Sequence, residues 1–504
     1  YRFMIEEISC CGYRGFATKQ CLKLAIPKGE RGSGLTVLVG PNGGGKSTLV
    51  ECFSKIAAND VSFTEGKRNK LADDKVSIYI TYNYQHGSLT TVDEGGSETI
   101  WKSSIEKPHI YYLPSRRVFN PYFGKSLWDR NTYIQNPENI QFRGSQLNNF
   151  SYRLFDANKH PDFNKLFWKI LGKELPWTID QDDTGQYYVK VKKSDTIFHN
   201  SDGLGEGIVS LLFIVDALFE AKPDELIVID EPELSLHPQL QIRLLNEILE
   251  LTKTNQVVIS THSANMVSIE AAINGGEIAR VFENEKGSVI APIDNTCREY
   301  FKSYANNIYN PHILGNDARS CFFAEDGFII TEGQEDVLLI PKILNQLELP
   351  NNIALFGFGA GGASNISQIA YILHRLGFSY IGALFDGDKE KEYNQFNHDF
   401  AKYGYKAWII PADGIRDKPS MNREPKSGLL DKNNYLSEVS VVTEGDSLEN
   451  KLKSKIDSIT KKNVSKSNFK PIIPVNTKVI SLNVKDNLCT IDFFSITTIC
   501  FHNL

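Results

Sequence analysis

The glycine-rich segment at residues 40–47 constrains the fold of this chain more than any other feature. It reads Gly-Pro-Asn-Gly-Gly-Gly-Lys-Ser, which fits the pattern G-x-x-x-x-G-K-[ST]. The apolar run Leu35–Val39 precedes it, and a helical pattern over Ser47–Ala58 follows. Glycines at these positions let backbone N–H groups approach phosphates, while Lys46 adds positive charge and the Ser47 hydroxyl can bind Mg²⁺. The segment therefore predicts a strand, a phosphate-binding loop and a helix in that order.

A second motif, Leu226–Glu233, supplies the acidic partner of such a loop. It reads Leu-Ile-Val-Ile-Asp-Glu-Pro-Glu, so four apolar residues predict a buried strand that ends at Asp230. Asp230 can hold Mg²⁺ through water, and Glu231 is placed to polarise an attacking water. The order of the two motifs predicts a site for ATP and Mg²⁺. The expected ATP ligands from these motifs are Asn42, Gly43, Gly45, Lys46, Ser47, Thr48 and Asp230, with Ser47 and Asp230 also holding the metal.

Three further features resemble the ATP-binding-cassette (ABC) ATPases. Residues 201–207, Ser-Asp-Gly-Leu-Gly-Glu-Gly, precede a helical pattern and are similar to the signature motif of that family. Residues 235–238, Ser-Leu-His-Pro, occupy the place of its D-loop, and His262 that of its switch histidine. The resemblance implies that Ser201 and Gly203 contact the γ-phosphate bound by a partner subunit. It therefore implies a homodimer that encloses two ATP molecules.

Strand patterns that alternate with helical patterns predict an α/β fold with parallel sheets in two parts of the chain. We expect an ABC-type P-loop ATPase domain over residues 1–305, with an inserted helical, dimer-forming region at about 115–200. Residues 306–324 contain Pro, Gly and Asp with little apolar periodicity, so they predict a linker. A second α/β domain with a lysine-rich tail is expected over residues 325–504.

The second domain carries acidic residues at the ends of predicted strands. Glu332 follows the strand pattern Gly327–Thr331, and Asp386 and Asp388 form a D-x-D pair after Ala383–Phe385. Carboxylates at adjacent strand ends repel one another unless a cation neutralises them, and oxygen ligands suit Mg²⁺ or Mn²⁺. A rival reading is a dinucleotide site, because residues 357–362 satisfy G-x-G-x-x-G. We rank it lower because it leaves Glu332 and Asp388 without a role.

These acids, with the glycine turn at Gly359–Gly362, resemble the Toprim fold of topoisomerases, primases and some nucleases. An ABC-type ATPase followed in one chain by Toprim is similar to the OLD (overcoming lysogenisation defect) family of nucleases. The Gabija defence nuclease and certain retron-associated effectors share that layout. The resemblance implies two-metal cleavage of DNA under the control of ATP, with a role in anti-phage defence. A reverse transcriptase and its nucleic-acid product are partners that it makes conceivable.

The family's residues carry over onto matching positions of this sequence. The resemblance implies that Glu332 and Asp336, four residues apart, and the pair Asp386 and Asp388 hold metal ions. Glu449 resembles a later family acid in a Leu-Glu context, with Glu444 as its competitor. The family also has a catalytic lysine between the aspartate pair and that acid. Three lysines satisfy this position, and Lys418 is our working assignment beside Lys426 and Lys432.

Composition excludes several classes of protein. Lys+Arg 55 against Asp+Glu 61 gives a net charge of −6, which excludes a uniformly basic DNA-coating protein but not a local basic groove. The longest apolar stretch, residues 207–219, is too short to span a membrane and contains Asp216. The eight cysteines form no C-x-x-C pair, so reduced thiols in a cytoplasmic protein are expected.

The leading hypothesis is an ATP-regulated, divalent-metal-dependent DNA endonuclease of the OLD type. One alternative is a topoisomerase-like strand-passage enzyme, which would also need a tyrosine nucleophile. Another is a DNA-clamping ATPase of the SMC or recombination type with an inactive Toprim domain. The absence of long heptad repeats counts against an SMC rod.

Overall fold

A computed structural model describes most of the chain. The described residues are 4–58, 61–103, 107–115, 123–125, 160–192, 198–200, 205–223, 225–308, 310–325, 327–346, 354–417, 426–435, 478–485 and 488–494. The chain forms two compact units, residues 1–293 and 294–504. Among the described residues, no helix combines the length and apolar character that crossing a membrane requires.

The first unit contains three sheets and five α-helices within its described residues. Its strands are β1 (Ile5–Cys11), β2 (Gln20–Lys23), β3 (Leu35–Val39), β4 (Ser77–Tyr82), β5 (Gln85–Thr91), β6 (Thr99–Ser103), β7 (His109–Leu113), β8 (Phe123–Lys125), β9 (Trp177–Gln181), β10 (Gln186–Lys192), β11 (Phe198–Asn200), β12 (Glu225–Asp230), β13 (Gln256–Ser260), β14 (Glu277–Asn284) and β15 (Gly287–Pro292). Its helices are α1 (Lys46–Ala57), α2 (Pro161–Leu171), α3 (Glu206–Phe219), α4 (Pro238–Leu251) and α5 (Ile269–Ile273).

The central sheet of this unit has six strands in the order β15-β14-β3-β13-β12-β7. Every pair except the β14–β15 hairpin is parallel. All five residues of β3 and of β13 are buried, which is why both segments are continuous apolar runs in the sequence. Parallel pairing places the carboxyl ends of β3, β12 and β13 at one edge of the sheet. The two motifs of the predicted ATP site follow β3 and β12 at that edge.

A second, antiparallel sheet has the order β2-β1-β4-β5-β6. The buried side chain of Gln256, at the start of β13, joins it to the central sheet. The Gln256 Oε1 atom accepts from the Ile5 N–H at 2.8 Å, and its Nε2 donates to the Ile5 carbonyl at 2.8 Å. The same amide nitrogen donates to the Ala25 carbonyl at 3.0 Å. The Gln256 side-chain amide therefore attaches the first residue of β1 to the central sheet.

The region at about 115–200, predicted to be a helical insertion, is mixed where the structure describes it. It contains helix α2 together with an antiparallel sheet in which β10 pairs with β8, β9 and β11. Alternation of apolar and polar residues in Trp177–Gln181 and Gln186–Lys192 explains the two long strands of this sheet. Much of the insertion, including Arg116 and Arg117, lies outside the described residues.

The second unit contains a three-stranded parallel sheet with the order β16-β17-β18. Its strands are β16 (Phe328–Ile330), β17 (Ile381–Phe385), β18 (Lys406–Ile409), β19 (Gly414–Arg416), β20 (Gly428–Leu430), β21 (Lys478–Lys485) and β22 (Leu488–Phe494). Its helices are α6 (Asn295–Tyr304), α7 (Asn310–Leu314), α8 (Asn316–Ser320), α9 (Gln334–Gln346), α10 (Ala363–Arg375) and α11 (Glu390–Phe400). The strands β19 and β20 pair in parallel, and β21 and β22 form a hairpin.

Two expectations differ from the structure of this unit. Residues 306–324, predicted to be a linker, contain α7, α8 and a 3₁₀ turn at 321–323. Ile313, Ala318 and Phe322 are buried there, so the segment is part of the folded unit. The strand predicted at 352–356 is reduced to a single bridge between Leu355 and Ile329.

Candidate functional site

The loop at residues 40–47 sits tightly against the end of strand β14. A methyl group on Gly40 would lie 2.2 Å from the Val281 carbonyl oxygen, and one on Gly44 would lie 2.4 Å from the same atom. Only glycine allows this approach. Helix α1 then begins at Lys46, directly after Gly45. The strand, the glycine-rich loop and the helix therefore follow one another in the order that the sequence predicts.

Lys46 is folded back onto the loop. Its Nζ donates to the carbonyl oxygens of Gly40 and Pro41, each at 2.8 Å, and the side chain is buried. Burial lowers the pKa of Lys46 to about 8, although Glu231 and Asp230 attract its charge and act in the opposite direction. The cation is thus poorly solvated and has two neutral oxygens as partners. A phosphate would give it a charged partner in the same place.

The acidic end of β12 lies beside the end of β13. Ser260 donates a short hydrogen bond from its hydroxyl to the Asp230 carboxylate, and Asp230 is buried. The Glu231 N–H donates to the Ser260 carbonyl at 2.9 Å. Glu231 has φ 48, a conformation that is uncommon for a residue with a side chain. The strand end therefore turns sharply, which separates the buried Asp230 from the more accessible Glu231.

His262 follows β13 and faces the same acids. Its Nε2 lies 3.6 Å from Glu231 Oε1, and its backbone N–H donates to Glu233 Oε1 at 2.6 Å. Burial, with the nearby charge of Lys46, lowers the pKa of His262. The imidazole is therefore neutral at pH 7, and its contact with Glu231 is not an ion pair at that pH. Glu233, which we did not predict as a site residue, fixes the backbone at His262, and burial raises its pKa.

Residues 201–204 lie outside the described residues, so Ser201 and Gly203 are not located. The end of the signature segment is described and contacts the D-loop segment of the same chain. A methyl group on Gly207 would lie 2.4 Å from the Ser235 carbonyl oxygen. The Ser235 hydroxyl donates to Glu206 Oε2 at 3.1 Å, and Ser235 has φ 62. The two predicted motifs are therefore packed together at the N-terminus of α3.

Sequence reasoning also missed Arg280, which is 2% exposed on β14. Its guanidinium lies 4.5 Å from the centre of the Phe282 ring. In the pairing of β14 with β3, Arg280 is opposite Val39, the last residue before the phosphate-binding loop. Burial lowers the pKa of Arg280 to about 10. A single arginine within an apolar strand pattern was the signal that could have identified it.

In the second unit, Glu332 and Asp386 meet at the carboxyl edge of the parallel sheet. Glu332 follows β16 and Asp386 follows β17, and these strands pair directly. Glu332 Oε1 accepts from the Asp386 backbone N–H at 2.8 Å. Burial raises the pKa of Glu332, and Asp336 and Asp388 raise it further, whereas the Asp386 N–H and Lys389 lower it. The arrangement concentrates negative charge in a partly buried place.

Asp336 and Asp388 belong to the same neighbourhood but have other partners. Asp336 Oδ2 accepts from the Gly333 N–H at 2.8 Å at the start of α9. Asp388 accepts a short hydrogen bond from Lys426 and pairs with Lys389 at 3.0 Å. Burial alone would raise the pKa of Asp388, but these two lysines lower it.

Two of the predicted residues of this site, Lys418 and Glu449, lie outside the described residues, as does the competitor Glu444. Of the three candidate lysines, Lys426 is the one whose described contacts reach the acids. Within the described part of the chain, no three His, Cys, Asp or Glu side chains are grouped so that they could share a metal ion.

One comparison with known proteins matches an ATPase family to part of the first unit. Residues 78–268 match the AAA_21 family, described as an AAA domain, and this range includes Asp230, Glu231 and His262. The chain is 30% identical over 155 residues to the Old nuclease of Escherichia phage P2, covering 29% of this chain and 26% of that protein. The resemblance to the OLD nucleases is confirmed. The unit 1–293 therefore has a P-loop ATPase fold.

Two further relatives come from bacteria. Endonuclease GajA of Bacillus cereus is 27% identical over 164 residues, covering 32% of this chain and 26% of that protein. Septu protein PtuA of Bacillus thuringiensis is 27% identical over 312 residues, covering 54% of this chain and 74% of that protein. The alignments span about a quarter of the phage P2 and Bacillus cereus nucleases.

Proposed function

We propose that this chain is an ATP-regulated, divalent-metal-dependent DNA endonuclease of the OLD type that acts in anti-phage defence. The observation that carries the proposal is the meeting of Glu332 and Asp386, 54 residues apart in sequence, at one edge of a parallel sheet. This edge is where ligands bind in open α/β sheets. The nuclease names of the phage P2 and Bacillus cereus relatives support DNA as the substrate.

The ATP site comprises the loop at 40–47, Asp230, Glu231 and His262. In this proposal Ser47 and Asp230 hold Mg²⁺, Lys46 neutralises phosphate charge, and Glu231 orients and deprotonates the attacking water. The neutral imidazole of His262 lies within reach of Glu231, so it can hold that carboxylate in place. Asn42, Gly43, Gly45 and Thr48 complete the contacts around the phosphates.

The nuclease site belongs to residues 325–504, to which we assign a Toprim fold. Oxygen donors from Glu332, Asp336, Asp386, Asp388 and Glu449 would hold Mg²⁺ or Mn²⁺. The described acids would have to move closer together to share one ion, since no three of them are grouped for it in this structure. The fit rests on electrostatics, because Glu332 is a carboxylate whose pKa is raised by burial and also by Asp336 and Asp388, so a nearby cation would stabilise its charged form. A bound metal would supply an activated water and stabilise the leaving oxygen. Lys426, or Lys418, would offset negative charge on the phosphate.

We further propose that the active form is a homodimer. In ABC-type ATPases the signature segment of one subunit completes the ATP site of the other. The described end of that segment, at Gly207, packs on Ser235 of the D-loop. A partner such as a reverse transcriptase with its nucleic-acid product would act as a trigger outside this dimer.

A plasmid-cleavage assay across Mg²⁺, Mn²⁺ and ATP tests the proposal. Asp386→Asn should abolish cleavage and leave ATP binding intact, whereas Lys46→Ala should abolish the response to ATP. Asp399→Asn is the matched control, because it removes an exposed carboxylate from α11 in the same unit. Cleavage by Asp386→Asn at the wild-type rate would show that the nuclease site is wrongly assigned.

A DNA-clamping ATPase with an inactive second site is the second candidate. The ion pairs of Asp388 with Lys426 and Lys389 favour it, since they leave that carboxylate already neutralised. Under this alternative, the wild type binds DNA in an ATP-dependent manner but does not cut it with any metal. The same assay, combined with a DNA-binding measurement, separates the two.

A further inference from the structure

Phe358 is a large apolar side chain that is exposed beside the acidic site of the second unit. Its side chain is 43% exposed, although it lies in a turn between Leu355, which bridges to β16, and helix α10. Exposing an aromatic ring to water costs free energy that burial would recover. If the backbone holds the ring in this exposed position, the exposure points to a binding partner that covers the ring.

The turn that carries Phe358 is fixed by hydrogen bonds on both sides of the ring. The Gly359 N–H donates to the Phe356 carbonyl at 2.9 Å, and the Ala360 N–H donates to the Thr331 carbonyl at 2.8 Å. From helix α7, His312 Nδ1 lies 3.1 Å from the carbonyl oxygens of both Phe358 and Gly359. Since carbonyl oxygens only accept, Nδ1 carries the proton and donates to this turn.

The same turn supports the acid that carries the proposed function. The Gly362 N–H donates to the backbone carbonyl of Glu332 at 2.8 Å. The Ala360 N–H holds Thr331, the residue before Glu332. Glu332 in turn accepts from the Asp386 N–H. The turn that carries Phe358 is thus joined by two backbone hydrogen bonds, from Ala360 and Gly362, to the edge where Glu332 and Asp386 meet.

We propose that Phe358 stacks on a nucleobase of the DNA held at this acidic site, and that His312 is its positioning residue. The inference rests on the proposed nuclease function and adds the way in which the substrate is gripped. A base offers a flat apolar face that removes the Phe358 ring from water, and it does so for any base. Because the backbone of the turn is already fixed, little backbone entropy is lost on stacking, so more of the contact energy becomes affinity.

Binding of a short oligonucleotide containing 2-aminopurine, with Ca²⁺ in place of Mg²⁺ to suppress cleavage, tests the stacking directly. Stacking on an aromatic ring quenches the fluorescence of this base. Wild type and Phe358→Trp should quench it, whereas Phe358→Leu should not, because leucine keeps apolar bulk without a ring face. The Kd of Phe358→Leu should rise about 5- to 150-fold, which corresponds to 1–3 kcal/mol.

Tyr403→Ala is the matched control. Tyr403 is 39% exposed in the same unit, but it precedes β18 and so lies at the amino edge of the sheet, opposite the acids. Its variant should bind and quench as wild type does. If Phe358→Leu also binds and quenches as wild type while wild type cuts DNA, the stacking proposal is wrong and the nuclease function stands. A wild type that neither binds nor cuts DNA refutes both.

Two substitutions of His312 test its role as a positioning residue. Asparagine places an N–H donor near the position of Nδ1, whereas glutamine places it near Nε2. His312→Asn should therefore keep the quenching of 2-aminopurine, and His312→Gln should lose most of it at an unchanged melting temperature. Loss of quenching in both variants with a lowered melting temperature would show a merely structural role, and full quenching in both would show that His312 does not position the ring.

Discussion

Three alanine substitutions in the phosphate-binding loop separate two costs that glycine avoids there. Gly43 has φ 74 and open space around its Cα, since an added methyl meets nothing within 4 Å. Gly44 has no left-handed backbone, but its methyl would lie 2.4 Å from the Val281 carbonyl oxygen. Gly40 has both features, with φ 130 and a distance of 2.2 Å to that oxygen. The three positions thus test conformation alone, contact alone and the two combined.

The structure orders the expected losses of unfolding free energy. A left-handed conformation costs a residue with a side chain about 1–2 kcal/mol, which applies to Gly43→Ala. Forcing a methyl against fixed backbone costs about 1–3 kcal/mol, which applies to Gly44→Ala because β14 must shift. Gly40→Ala carries both costs, so about 2–5 kcal/mol is expected. Neighbouring effects are not strictly additive, and the order is the firmer prediction.

Urea denaturation of the full chain, followed by far-UV circular dichroism, measures this order. The ATP affinity of each folded variant is measured separately from its stability. Gly43→Ala should lose only about 1–2 kcal/mol of unfolding free energy, yet it should bind ATP weakly because its methyl enters the open side of the loop. If Gly43→Ala and Gly40→Ala were equally destabilised, the packing of the loop on Val281 would not be what requires glycine, and the reasoning would fail.

Three further predictions concern single side chains. Burial lowers the pKa of His374, so protonation of this side chain opposes folding. The free energy of unfolding should therefore fall as the pH drops from 6.5 through the lowered pKa. Urea titrations at each pH should show that His374→Gln flattens this dependence. Lys426→Ala should lower the DNA cleavage rate about 100-fold. It should also reduce the Mg²⁺ concentration that gives half the maximal rate, because Asp388 is no longer paired with Lys426. An unchanged dependence on Mg²⁺ would contradict this. Glu231→Gln should keep ATP binding and slow hydrolysis at least about 100-fold in a phosphate-release assay.

The central sheet of the first unit was the most predictable part of the fold. The apolar run at residues 35–39 predicts a strand, and the structure gives β3 the same bounds. Buried parallel strands are continuous apolar runs, and glycine marks the turns, so the local pattern is sufficient there.

The parts that could not be predicted depend on contacts between distant residues. Helices α7 and α8 have five residues each, too few to show apolar periodicity, so the segment was predicted as a linker. Spacing could not choose among Lys418, Lys426 and Lys432, because the contact of Lys426 with Asp388 spans 38 residues. The contact of His312 with the turn at Phe358 could not be predicted for the same reason, since a hydrogen bond across 46 residues leaves no local pattern.

The hydrogen bonds of the Gln256 side-chain amide with Ile5 have a mechanical consequence. Gln256 begins β13, and Ser260 ends it beside Asp230, with His262 two residues further on. Four residue steps of extended chain span about 13 Å. Strand β13 is paired with β12 on one side and β3 on the other, so its length is fixed and it behaves as a rigid element. A displacement of Ser260, beside Asp230, would therefore be transmitted along β13 to Gln256. There it would act on the antiparallel sheet through the hydrogen bonds of Gln256 with Ile5.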